Sequence, residues 1–346
     1  MLLLLAGVVS CITPYQPETV SVAAALVVEG QITDQPGPYT IRLTRTADYS
    51  YKSLNLLETG AVVTISDNLG NQETLKEQSS GGVYQTSATG IRGIAGRSYK
   101  LTIQTKSGKR YESDREILSA VSPIQKLYYE SDYTPASGVT ADQQSWRVYL
   151  DTQDPDTLGN YYKWNWTHYE FTGVCKKTFV PSQFIYTGIN CCTDCLDITR
   201  CYNCITINSD ANINGKAISG QFIADVPFTS LSRYYIEVEQ QAISKGAYDF
   251  WKSVRQLTSN TGGLFDAAPS AVRGNLRCVS DTKEPVYGYF GAAGLSATYL
   301  YVDRSNGRGY PKVDFPTVVP YPTDPICLTC ENNLYRTPNK PRWWAY

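Results

Sequence analysis

Apolar and polar residues change places at every second position through much of this chain, and a period of two commits those stretches to β-strands. Ile41 and Leu43 share one face of the segment Tyr39–Thr46, Val63 and Ile65 one face of Ala61–Ser66, and Tyr99, Leu101 and Ile103 one face of a third. Trp146, Val148 and Leu150 repeat the pattern, as do Tyr162, Trp164 and Trp166. Tyr234, Ile236 and Val238 alternate with Glu237 and Glu239, which reads as a half-buried strand. The residue types agree. There are 27 tyrosines and only one methionine, and aromatic and β-branched side chains fit a pleated surface. Turn signals separate the runs, among them Asp34 to Pro38, Asp67 to Asn71, and Ser107-Gly108. Pro285 to Arg304 reads as a hairpin turning at Ala292-Ala293-Gly294. One segment alone has helical spacing: Ala247, Trp251, Val254 and Leu257 predict a helix over about 245–258, capped by Ser244.

The pattern predicts an all-β protein of two domains. Residues 25–118 read as an N-terminal Ig-like or transthyretin-like β-sandwich. Residues 119–346 read as a larger β-sandwich-like domain with one helix and a Cys-rich loop over 175–204. Ahead of both, Leu2 to Val9 form a short apolar run, far below the ~20 residues that span a bilayer. It suits the apolar core of a secretory leader over 1–10. Val8-Val9-Ser10-Cys11 resembles the site at which lipoprotein signal peptidase cuts before a cysteine that then carries lipid. No Lys or Arg precedes the run, the one feature of such a leader that is missing. Residues 11–24, with Pro14 and Pro17, then read as an extended tether. The expected location is the outer membrane, on its periplasmic face or at the cell surface, with fatty acids on Cys11 as the anchor. Lys and Arg total 31 against 32 Asp and Glu, and no basic stripe points to nucleic acid.

Beyond Cys11, nine cysteines remain: Cys175, Cys191, Cys192, Cys195, Cys201, Cys204, Cys278, Cys327 and Cys330. An exported chain meets an oxidising compartment, so all nine are candidates for structural disulfides, with one left over by parity. The rival is a zinc knuckle from Cys192-x2-Cys195 and Cys201-x2-Cys204, although the five-residue link is short for a zinc ribbon. Cys327-x2-Cys330 is a further local pair with no βαβ context for a thioredoxin-like role.

Other constellations are weaker. His168 is the only histidine, so any Ser-His or Cys-His mechanism would need it. It shares a strand face with Trp164 and Trp166, which reads as packing. Asp151, Asp154 and Asp156 with Asn160 offer hard oxygens for Ca2+ without EF-hand spacing. Asp156-Thr157-Leu158 resembles a short O-glycosylation acceptor. No motif marks a carboxylate pair for glycoside hydrolysis, and no phosphate loop is present. No cofactor, metal or catalytic residue is expected.

Several runs resemble one family. Leu26-Val27-Val28-Glu29-Gly30-Gln31-Ile32-Thr33, Gly37-Pro38-Tyr39-Thr40-Ile41-Arg42-Leu43, Gly60-Ala61-Val62-Val63 and Gly96-Arg97-Ser98-Tyr99-Lys100-Leu101 are similar to the Bacteroidota lipoproteins grouped as domain of unknown function 4249. So are Gly274-Asn275-Leu276-Arg277 before Val286-Tyr287-Gly288-Tyr289-Phe290, and Cys327-x2-Cys330 before Pro341-Arg342-Trp343-Trp344. The resemblance implies a lipoprotein encoded beside TonB-dependent receptors. The expected function is a non-enzymatic binding or accessory partner of such a β-barrel in uptake or assembly. The alternative is a surface glycan-binding module using exposed aromatics. A hydrolase with unmarked carboxylates is the third.

Overall fold

The structure is a computed structural model. It describes residues 24–46, 56–135, 137, 143–180, 182, 185–201, 204–259, 272–312, 330, 335–341 and 343–344. The leader, Cys11 and nearly all of the tether lie outside them.

Strands dominate. The first are β1 (Leu26–Thr33), β2 (Thr40–Arg45), β3 (Val62–Asp67), β4 (Ser98–Gln104) and β5 (Arg110–Ser113). Next come β6 (Ile124–Thr134), β7 (Gln143–Gln153), β8 (Tyr161–Val180), β9 (Ile185–Arg200), β10 (Ala217–Pro227) and β11 (Tyr234–Ile243). The helix α1 (Lys245–Ser259) is followed by β12 (Leu276–Cys278) and β13 (Val286–Val302). The longest sheet has the order β9-β8-β11-β13-β1-β2 through its middle. Two smaller sheets, β12-β5-β4-β3 and β6-β7-β10, share hydrophobic cores with it.

β13 holds this arrangement together. Val286 to Ala293 pair parallel with Leu26 to Thr33 of β1. Gly294 to Val302 pair antiparallel with Ala242 to Tyr234 of β11. The hairpin expected at Ala292-Ala293-Gly294 is therefore one continuous strand that changes partner there. The glycine serves close approach instead of a turn. A Cβ on Gly294 would sit 2.4 Å from the Ser119 carbonyl oxygen, to which its own N–H donates at 3.1 Å.

Side chains alternate across a strand, so β13 has two faces with different surroundings. Its even-numbered residues build cores. Val286, Phe290 and Ala292 join Leu26, Val28, Ile41, Leu43, Val63, Ile65, Tyr99, Leu101 and Ile103 in the first. Leu300 and Val302 join Trp146, Val148, Leu150, Tyr162, Trp164, Ile236 and Val238 in the second. Burying one side chain such as Phe290 stabilises the fold by about 3 kcal/mol. The N-terminal sandwich is thus completed by β12 and half of β13, from far downstream in the chain.

The Cys-rich segment read as a loop is largely a hairpin. β8 and β9 pair from Thr167 opposite Arg200 out to Val180 opposite Ile185, with one irregularity at Val174/Cys175. The helix starts where its cap predicts: Ser244 Oγ accepts the Ala247 N–H at 3.1 Å. Only Ala247 of α1 is buried. Tyr248, Phe250 and Trp251 pack partly buried against a small third core of Ile243, Ala247, Tyr289 and Ala293, while Val254 and Leu257 are half-buried.

Candidate functional site

The odd-numbered face of the long sheet is packed only in part. Three strands lie side by side there. Lys163 of β8 stands opposite Gln241 of β11, Asn165 opposite Glu239, Thr167 opposite Glu237, and Tyr169 opposite Tyr235. β13 continues the rows with Leu295, Ala297, Tyr299 and Tyr301. At the Lys163 end, α1 crosses the face and encloses a cavity of about 680 Å3. Trp251, Val254 and Leu257 of the helix form its roof, and Val27, Ile243, Tyr287 and Ala293 belong to the sheet beneath. This volume falls in the range of small-molecule sites, ~300–1,000 Å3.

The lining is mostly apolar but includes Glu29, Gln31, Lys163, Asn165 and Gln241; Lys163 and Gln241 stand out among them. Lys163 Nζ donates to Asn165 Oδ1 at 2.7 Å and lies 4.5 Å from the centre of the Trp251 ring. Among the described residues no carboxylate is within ion-pair distance of it. Burial pulls its pKa down to about 8, against the opposing pull of Glu239. Gln241 is 1 % exposed, and neither Nε2 nor Oε1 has a hydrogen-bond partner. Its neighbour Gln240, on the core face, is equally buried and fully engaged. Gln240 accepts from the Trp164 indole at 2.9 Å and donates to Ser122 O at 2.8 Å and Thr152 Oγ1 at 3.0 Å.

A carboxylate hub latches the helix over the cavity. Glu116 is buried and accepts from Ser244 Oγ, Tyr289 Oη and Asn275 Nδ2 at 2.5, 2.6 and 3.1 Å. Burial raises its pKa, with these three donors pulling the other way. The cap of α1 is thereby tied to the sandwich and to β13.

Along the same face a second cavity of about 660 Å3 is lined by Glu237, Glu239 and Tyr169 and shares Gly30 and Gln31 with the first. Glu239 has its pKa raised by burial and then by Glu237. Beyond it the aromatics close on one another. Trp343 stacks on Tyr299 at 4.4 Å, and Trp344 lies 4.5 Å from Tyr235. The face therefore grades from an apolar chamber, through an acidic groove, to an aromatic cluster. A lysine of lowered pKa is the kind of group that forms Schiff bases. Here its hydrogen bond goes to the Asn165 amide oxygen.

The residues singled out in the sequence fall elsewhere. Cys195 is disulfide-bonded to Cys330, and Cys201 to Cys204. Three of the four thiols of the supposed zinc knuckle are thus tied up in disulfides. Cys330 is joined across the chain, not to its local neighbour Cys327. The strand Arg336–Thr337 pairs with β9 beside that bridge, which carries Trp343 and Trp344 toward the sheet. Cys278, one of the nine disulfide candidates of which parity leaves one over, is a free thiol 2 % exposed in the sandwich core, paired across the sheet with Tyr111. Cys11 and Cys327 lie outside the described residues, as do the side chains of Cys175, Cys191 and Cys192.

His168 is packed, as its aromatic face predicts. Its ring stacks on Tyr234 at 3.4 Å, and Nδ1 contacts Tyr235 O at 2.8 Å. Beside it, Arg304 is fully buried. It donates to Ser232 O, Thr229 Oγ1, Ser230 Oγ and Glu170 Oε1. The acidic loop does not gather a cation site. Asp154 accepts from Tyr162 Oη and the Gly215 N–H, while Asp151 accepts from the Gly220 N–H at 2.8 Å. Asn160 gives its N–H to Asp210 at 2.9 Å. These groups are spent on separate bonds to Tyr162 and to the segment 210–220. Lys163 and Gln241 were not singled out, because a lysine between Tyr162 and Trp164 has the alternation of any solvent-facing position.

No curated protein and no solved structure matches the chain. The model of one family, described as a domain of unknown function, matches residues 12–297. That span takes in the first core, most of the second, the helix and the chamber, and the chain belongs to the DUF4249 family.

Proposed function

We propose that the protein is an outer-membrane lipoprotein, anchored through Cys11, that acts without chemistry of its own as a binding or accessory partner of a TonB-dependent β-barrel receptor. The anchor reading rests on Val8-Val9-Ser10-Cys11, and the receptor on the family resemblance. The observation that carries the binding role is Gln241. A buried amide with both polar atoms unpaired costs about 1–3 kcal/mol, and this one faces an apolar chamber. A fold gains nothing from that cost unless something else completes the site. Acyl chains would hold the chamber near the barrel and raise its effective concentration there.

An affinity pull-down from native membranes in mild detergent tests the partnership. Stoichiometric recovery of a TonB-dependent barrel supports it, and recovery of the lipoprotein alone contradicts it. The alternative, a glycan-binding module, has one observation in its favour: Tyr299 and Tyr301 are 47 % and 40 % exposed on one strand. Binding on a glycan array that Tyr301→Ala abolishes would favour that reading.

A further inference from the structure

We propose that the chamber under α1 binds a single amphiphile by its carboxylate head, which Lys163 and Gln241 hold while the helix covers the apolar tail. This deepens the binding-protein reading and rests on it.

The charge comes first. Lys163 carries three N–H donors and spends one on Asn165 Oδ1. Its other close neighbour is the face of Trp251. Glu239 acts on this half-buried ammonium from outside ion-pair distance, and an anion seated within that distance relieves more of its desolvation cost. Gln241 stands directly across the strand pair, where opposed side chains have Cβ atoms ~4.5–5.5 Å apart. Its unpaired Nε2 supplies a second donor to the same head.

The number of donors sets the class. One ammonium and one amide suit a monoanionic carboxylate. A phosphate dianion calls for a denser set of charged donors. A cationic head would meet Lys163. The acidic member of the lining, Glu29, is exposed, where solvent screens its repulsion.

The tail follows from the helix. Trp251, Val254 and Leu257 form the stripe that the sequence assigns to a core, yet they line the cavity. Ala247 alone is buried. With Val27 and Ile243 opposite, they offer an alkyl chain apolar contact on both sides. Each methylene moved there from water is worth about 0.8 kcal/mol.

Calorimetric titration of the purified full chain with decanoate, decanol and decyltrimethylammonium tests the assignment. A charge-assisted contact predicts that decanoate binds roughly tenfold to a hundredfold tighter than decanol, and that the cation binds weakest. Lys163→Met should bring decanoate down to the affinity of decanol and leave decanol unchanged. Lys163→Arg should retain the preference, which guards against a variant that merely folds poorly. Equal binding of decanoate and decanol by the natural chain overturns the anionic head and leaves an apolar binding chamber. A loss of both ligands in Lys163→Met, shared by Lys163→Arg, overturns the role of the charge. If none of the three binds, the chamber is not this site, and the barrel partnership is then judged by the pull-down alone.

Discussion

Gln240 and Gln241 are neighbours on one strand, alike in chemistry and in burial, and they face opposite ways. Gln240 points into the second core and makes three hydrogen bonds there. Gln241 points under α1 and makes none. The same contrast runs the length of the sheet. On the core face Tyr162, Trp164, Ile236, Val238 and Val302 fill their space. On the other face Gln241 is buried with neither polar atom bonded, while Lys163 and Glu239 are half-buried and burial pushes the pKa of each toward its neutral form. The core face is packed for stability, while the chamber face gives up stability to keep a polar, half-lined space. This is the pattern expected of the binding site proposed above, and it accords with the general trade between stability and function.

Four substitutions sharpen or break the comparison, measured by urea unfolding. Phe290→Ala removes a fully buried ring from the sandwich core and should cost about 4 kcal/mol through lost burial and a cavity. Gln240→Leu should cost about 3 kcal/mol, because it strands the Trp164 indole and the Ser122 carbonyl. On the chamber face the sign reverses. Lys163 is held at a pKa of about 8, below its ordinary 10.5, so its buried charge destabilises the fold at pH 7. Lys163→Met should therefore stabilise the chain at pH 7 by up to about 3 kcal/mol. That gain should shrink as pH rises from 8 toward 10.5, where the unfolded chain still binds the proton that the folded chain has released. Gln241→Leu should stabilise by about 1 kcal/mol through removal of unpaired polar atoms. A cost on the chamber face equal to that on the core face would erase the distinction between them.

Much of the fold was legible in the sequence and the chamber was not. Alternation gives β2, β3 and β4 almost residue for residue and the middle of β7 and the start of β11, and Ser244 with the spacing of Ala247, Trp251 and Val254 gives the helix. These are local signals. Gly294 misled because a glycine after two alanines reads as a turn, while its real role is to let the Ser119 carbonyl approach. Cys278 looked like its fellow cysteines because spacing does not report that it faces a core. The chamber needs three strands and a helix from four parts of the chain. A period of two marks Lys163 and Gln241 as outward-facing. It does not say that α1 then folds over them.

The most direct test is a crystal structure of the full chain grown with decanoate bearing a bromine at its tail end. The account predicts anomalous signal from the bromine between α1 and β13, with the carboxylate within hydrogen-bond distance of Lys163 Nζ and Gln241 Nε2. A chamber without that signal, in which Gln241 instead pairs with the chain's own groups, would contradict it.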